Sequence, residues 1–199
     1  MQAGRAAAPG GAAADHQGRL SARLFAAALP PLALRTELAD HVAALRIDAL
    51  RAVPLESLHV TIDFLGDVAE ADVELLTAAV REVATRHAPF SLRLAGTQPA
   101  PKRRPRMLWA VTEPSDPLGS LARDVHDAAA PFAPGRGQPA GEHGHITLAR
   151  FRGRITWRET GPVPVTEPEF AVVEMHLVRS RLSPGGAAYE TVAALALRG

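Results

Sequence analysis

The chain has 199 residues, 47% of them hydrophobic, with 22 basic and 21 acidic side chains and a net charge of +1. That is enough apolar material for a domain with a proper core, which excludes disorder throughout, and a near-neutral chain has no overall field to coat a nucleic acid. With no cysteine, disulfides, thiolate catalysis and cysteine-ligated zinc are excluded and a cytoplasmic location is expected; no stretch is long and apolar enough for a membrane span.

Residues 1–20 are rich in Ala and Gly without a leucine-rich centre, so they are expected to be a flexible extension and not a signal peptide. One domain over 21–199 follows. Arg23 to Leu29 reads as a buried strand stopped by Pro30-Pro31, and Pro31 is well placed to begin a helix. Leu34, Leu38, Val42 and Leu45 continue that helix at spacings of three and four. A first His-x-Thr strand, His59 to Phe64, ends at Gly66-Asp67. Val73, Leu76, Val80 and Val83 mark a second helix running towards His87, closed by Pro89. Phe90 to Leu94 and Met107 to Val111 read as strands, and Leu118 to Ala129 as a third helix. A Pro/Gly-rich loop from Pro131 to Gly141 leads to a second His-x-Thr strand, His145 to Phe151. Phe170 to Arg179 and Tyr189 to Leu197 are strands separated by the turn Ser183-Pro184-Gly185-Gly186. Many strands with few helices favour an α+β fold.

The two His-x-Thr segments carry the functional signal. Successive side chains of a strand point to opposite faces. His59 and Thr61 therefore share a face with Asp63, while Leu58, Val60, Ile62 and Phe64 share the other. His145 and Thr147 likewise oppose Ile146 and Leu148. Packing claims the aliphatic side and leaves each His beside its Thr on an open face. One copy in each half of the chain suggests two similar lobes around a shared cleft.

Opening a phosphodiester needs a base for the attacking water and an acid for the leaving oxygen, and histidine titrates near neutrality, so two imidazoles can divide the roles. A threonine hydroxyl two residues on can donate to a non-bridging phosphate oxygen. This arrangement requires no metal or other cofactor. From the residues alone the two histidines are interchangeable.

With Arg23-Leu24-Phe25, Leu58-His59-Val60-Thr61 with Phe64-Leu65-Gly66, Arg104 to Trp109, His145 to Arg150 and Ser180 to Gly186 in this order, the chain resembles the RNA 2′,3′-cyclic phosphodiesterases, also described as 2′-5′ RNA ligases, of the 2H phosphoesterase superfamily. The resemblance implies a bilobal α+β fold, two pseudo-symmetric lobes of antiparallel sheet flanked by helices around a central cleft. It also implies hydrolysis of a terminal RNA 2′,3′-cyclic phosphate to a 2′-phosphomonoester, with His59 protonating the leaving O3′ and His145 activating water. RNA ends bearing the cyclic phosphate are the expected partner of a monomer. Alternatives are a 2H phosphodiesterase for a small cyclic nucleotide or a 2′-5′ linkage, and an idle module that binds RNA ends; no glycine-rich phosphate loop or nucleotidyl-accepting lysine motif supports ligation with ATP.

The resemblance assigns Arg150 to the phosphate and Phe64 to stacking on the terminal base. Strict alternation opposes both: it sends Phe64 to the core, and it sends Arg150 to the face opposite His145 unless the strand twists or bulges there or the long side chain reaches round. Arg106, in the basic run Lys102 to Arg106, is a further substrate-binding candidate, and that run could guide an RNA strand. The family commonly has Pro before the second histidine. This chain has Gly144, which is expected to leave His145 less rigidly placed. His143 shares strand parity with His145 but reads as an exposed loop histidine, not a metal ligand, and His176 reads as a packing residue. His16, His41, His87 and His126 are expected to be surface or satisfied groups.

Overall fold

The structure is a computed structural model and describes residues 13–14, 20–153, 161–183 and 186–199. The strands are β1 (Ala13–Ala14), β2 (Leu20–Ala28), β3 (Leu50–Ala52), β4 (Val60–Ala69), β5 (Phe90–Ala100), β6 (Met107–Thr112), β7 (His145–Phe151), β8 (Glu169–Val172), β9 (Glu174–Ser183) and β10 (Gly186–Ala196). The helices are α1 (Leu32–Ala44), α2 (Val73–Thr85) and α3 (Asp116–Ala129). Most of the expected 1–20 extension lies outside the described residues, but Ala13 and Ala14 pair with Ser21 and Leu20.

The strands form one sheet in the order β10-β9-β2-β4-β7-β6-β5-β8, with β1 on β2 and β3 on β7. The main path divides into two sets of four antiparallel strands, β10-β9-β2-β4 and β7-β6-β5-β8, which are the two expected lobes. They join where Val60 of β4 pairs with Ile146 of β7. The apolar stripes of the helices close over one face: Leu34, Leu38 and Val42 of α1, Leu76, Val80 and Val83 of α2, and Leu118, Leu121 and Val125 of α3 are all buried with Val60, Ile62, Ile146 and Leu148. Burial of a Leu or Val side chain stabilises by about 1.5–3 kcal/mol, so this shared core sets the face on which polar side chains stay open. The helices exchange lobes, α1 packing on β7 and α3 on β4.

Pro31 precedes α1 as its cap residue, and the Ser115 hydroxyl caps α3 by accepting the Leu118 N–H at 3.3 Å. Asp116 and Pro117 belong to the first turn of α3 instead of preceding it. The apolar run Phe170 to Arg179 is two strands, not one. β8 pairs with β5 in the second lobe and β9 with β2 in the first, with Val173 exposed between them. Periodicity carries no mark of a strand that changes lobes, because the Phe170, Val172, Met175 and Leu177 side chains are buried in one common core. β3 was not anticipated either; it is short, and its backbone pairing with β7 is what defines it. The turn at Pro184-Gly185 lies outside the described residues. Among the described residues no helix is long and apolar enough to cross a membrane.

Candidate active site

The junction of the lobes determines which motif residues meet. With Val60 opposite Ile146 in an antiparallel pair, the flanking residues face each other: His59 towards Thr147, and Thr61 towards His145. The four motif side chains are partly buried, whereas Val60 and Ile146 between them are fully buried. The pair of motifs is thus arranged about a local two-fold axis.

Both strands carry a bulge at the same place. Ala27 pairs with Thr61 but Ala26 with Asp63, so Ile62 is the extra residue in β4. Trp109 pairs with Thr147 but Leu108 with Ala149, so Leu148 is the extra residue in β7. An extra residue reverses the alternation beyond it. In β4 this turns Phe64 out to the motif face, where its side chain is 65% exposed, and turns Asp63 inward. In β7 it brings Arg150 to the exposed face of His145 and Thr147. Two expectations from strict alternation are corrected: Phe64 is not in the core and Asp63 is not on the open face. The parity conflict over Arg150 is resolved by the bulge. A second shift, between Leu24 and Phe25, leaves Leu65 as another extra residue, followed by Gly66 at φ 76°, a left-handed conformation suited to glycine.

Asp63, 3% exposed, is held from behind the sheet. Its Oδ2 accepts from His126 Nδ1 at 3.0 Å and from Arg136 Nη1 at 2.9 Å. Arg136 comes from the Pro/Gly-rich loop and also donates to the backbone carbonyls of Ala133, Phe64 and His126. The bulged strand, α3 and the loop are therefore tied at one carboxylate. His126 is a satisfied histidine, as is His87, whose Nε2 lies 2.8 Å from Asp124 Oδ2.

His59 has a firm orientation. Its Nδ1 donates to the Ser57 carbonyl at 2.7 Å, which leaves Nε2 for the cleft. The ring packs against Phe25, with centroids 4.9 Å apart, and against the edge of Tyr189 at 5.3 Å. Phe25, Ala27, Val178 and Tyr189 form a small apolar cluster beneath it. Burial lowers the His59 pKa, and the Ser57 carbonyl opposes that by favouring the protonated ring. His145 stacks on Trp109, centroids 3.9 Å apart and planes inclined by 25°. Its pKa is lowered first by burial and then by the charge of His59. The charge of His59 acts on His145, so the second imidazole lies within electrostatic reach of the first.

Gly144 does not loosen the start of β7. Its N–H donates to Thr112 Oγ1 at 2.9 Å, and its carbonyl accepts the Thr112 N–H at 2.9 Å. A Cβ on Gly144 would lie 2.9 Å from Val60 Cγ1 and 3.1 Å from Leu118 Cδ2 and Thr112 Oγ1. Close packing, with backbone bonds on both sides, replaces the stiffness of proline. Gly144→Ala is therefore expected to lose about 1–3 kcal/mol of stability through overpacking, read from denaturant midpoints, and to lower turnover by displacing His145.

Phe25, Trp109 and Tyr189 were not singled out from the sequence as site residues. Parity along β6 could have identified Trp109, because Leu108, Ala110 and Thr112 are buried and alternate with it. Tyr189 reaches His59 only through the pairing of β10 with β9 and of β9 with β2. Arg106 is exposed immediately before β6. His143 is exposed, and no cluster of three or more His, Asp or Glu side chains positioned to hold a metal occurs among the described residues. His176 lies on β9 with Nε2 3.2 Å from Glu174 Oε1.

The 2′-5′ RNA ligase superfamily matches residues 30–183. A protein of Geobacillus stearothermophilus named RNA 2′,3′-cyclic phosphodiesterase is 34% identical over 72% of this chain, and the match spans 46% of that protein's own length. A Thermus thermophilus protein of the same name is 30% identical over 89% of this chain and 91% of its own. Among solved structures, TT0787 of Thermus thermophilus superposes with a TM-score of 0.76 at 30% identity, covering 89% of this chain and 98% of that one. Apo LigT of E. coli superposes with a TM-score of 0.72 at 27% identity, covering 90% and 99%. Matched across most of its sequence and nearly all of its fold, the chain belongs to the 2′-5′ RNA ligase superfamily of 2H phosphoesterases.

Proposed function

We propose that the protein hydrolyses the terminal 2′,3′-cyclic phosphate of RNA to a 2′-phosphomonoester, using His59 and His145 as acid and base without a metal. The observation that carries this reading is the pairing of Val60 with Ile146, which sets the two His-x-Thr motifs face to face. The names of the Geobacillus and Thermus relatives supply the substrate.

In the proposed reaction His145 removes a proton from water as its oxygen attacks phosphorus. The bond from phosphorus to O3′ breaks, and His59 gives its proton to O3′. One proton moves from His59 to His145 overall, and exchange with solvent resets the pair. The division of roles follows the family resemblance; burial lowers both pKa values, the Ser57 carbonyl opposing it at His59 and the charge of His59 adding to it at His145. Thr61 and Thr147 donate to the non-bridging oxygens, and Arg150 supplies the nearby positive charge. Phe64, next to Phe25 at a ring distance of 6.1 Å, offers a stacking surface to the terminal base. Arg106 is left to the approaching strand and not to the reacting phosphate.

The test is incubation of the purified protein with EDTA and an oligonucleotide ending in a 2′,3′-cyclic phosphate. A 2′-phosphate product is expected; absence of product throughout about pH 6 to 8, the range in which imidazoles titrate, would overturn the reading. Product that forms only when a divalent ion is restored would remove the metal-independent mechanism while leaving the substrate assignment.

A further inference from the structure

We propose that the end of the second lobe bearing the β5–β6 turn is a track for the RNA strand, holding the phosphates that lie 5′ to the terminal nucleotide. This inference rests on the reaction proposed above and adds to it a substrate class: a strand, in preference to a mononucleotide. β5 and β6 pair up to Ala100 and Met107, so Lys102, Arg103, Arg104 and Arg106 occupy or adjoin the connecting turn. The register then continues sideways. Met107 pairs with Arg150 of β7, the Phe151 N–H donates to the Arg106 carbonyl at 2.8 Å, and Arg152 follows. Six cationic side chains from two segments far apart in sequence thereby reach one end of the sheet, and all six are exposed.

Their clustering sets them apart. Four arginines elsewhere are matched with carboxylates: Arg93 with Glu113 and Glu169, Arg136 with Asp63, Arg179 with Glu70, and Arg181 with Glu190. Among the described contacts none of the six at this end meets a carboxylate, and Arg150 Nη1 faces only the Met107 sulfur, at 3.7 Å. In a chain of net charge +1, this is a local concentration of positive charge. A polyanion would supply the counter-charge.

The track also has a direction. Arg150 and Phe64 stand at equivalent positions, each five residues beyond its motif histidine and just past its bulge. One lobe thus ends in an aromatic ring and the other in a cation continuous with the basic turn. Val111 pairs with His145 and Met107 with Arg150, so the turn before Met107 lies beyond Arg150 on the side away from His145, and phosphates bound there belong to nucleotides upstream of the reacting one. Contacts to phosphate position a strand without reading its sequence.

The experiment compares the whole protein with a triple variant, Lys102→Ala/Arg103→Ala/Arg104→Ala, whose changes lie outside the cleft. Binding of a labelled single-stranded RNA ten-mer with a 2′-phosphate end is measured across a salt series. The variant is expected to bind about ten-fold more weakly at low salt and to lose about 2 from the slope of log K against log salt, ~0.7 for each phosphate contact. In turnover, the variant should lose kcat/KM on an oligonucleotide cyclic phosphate but not on a mononucleotide 2′,3′-cyclic phosphate. Unchanged binding and slope, or equal losses on both substrates, would overturn the track. Absence of turnover of either substrate by the unaltered protein would instead defeat the proposed reaction, and the binding series would still decide the track. Loss of binding to anionic lipid vesicles with RNA binding intact would reassign the patch to a lipid surface.

Discussion

His59→Ala and His145→Ala are each expected to lower kcat by about a hundred-fold or more on an RNA 2′,3′-cyclic phosphate, the usual cost of removing a general acid or base. Circular dichroism should show both variants folded, because both rings face the cleft and not the common core. Retention of full turnover by either variant would remove that histidine from the mechanism. The pH profile is a second readout. Both imidazoles are held below the ordinary 6.5, by burial first in each case. A bell-shaped kcat/KM profile reports the acid and base of the free enzyme, so its maximum should lie on the acid side of 6.5, with its two limbs belonging to the coupled pair. A maximum well above 7 would contradict the environment described for these rings.

The same shifts carry a stability consequence whose sign is definite. A histidine whose folded pKa is below its unfolded value binds fewer protons when folded, so the unfolded state gains as pH falls. The contribution is fully present above 6.5 and is lost as pH drops from there through the folded values of His59 and His145. His145→Gln should narrow the difference between denaturant midpoints measured at pH 7.5 and pH 5, in keeping with the removal of one such group.

Asp63→Ala is expected to be the most damaging single change away from the cleft. Its side chain is 5% exposed and that of Arg136 is 10% exposed, with 2.9 Å between them. Removing the carboxylate leaves a buried guanidinium without a counter-charge, which typically costs about 3–5 kcal/mol. His126 loses its Nδ1 partner at the same time. Chemical denaturation would measure the loss, and the substrate KM should also rise, because the Arg136 bond to the Phe64 carbonyl holds the bulged segment. By contrast Arg181→Ala, which breaks a pair whose side chains are 51% and 59% exposed, should change stability by no more than about 1 kcal/mol. Similar losses from the two variants would mean that Asp63 is not the brace described.

The three helices and most strands could be read from local pattern because their aliphatic stripes all drain into one core. The motif pair was legible for a related reason: His-x-Thr within an aliphatic strand has a polar and an apolar face whichever strand it pairs with. The aromatic setting of the histidines was less legible. Phe25 and Tyr189 meet His59 from strands whose neighbourhood depends on a long-range sheet order. Trp109 carried a usable parity signal, but its contact with His145 requires β6 to lie beside β7.

The amino-acid sequence by itself determined the α+β class, the lobed organisation with one His-x-Thr in each half, and the identity of the four polar side chains at the junction. Those features follow from alternation and from apolar periodicity, which are properties of adjacent residues. Only the tertiary structure decided the faces beyond the motifs. A bulge is defined by a mismatch of register between two strands, so the positions of Phe64, Asp63 and Arg150 depended on β2 and β6 as much as on their own strands. The same holds for Gly144, whose tightness comes from Thr112, Val60 and Leu118, none of them its neighbour in the chain.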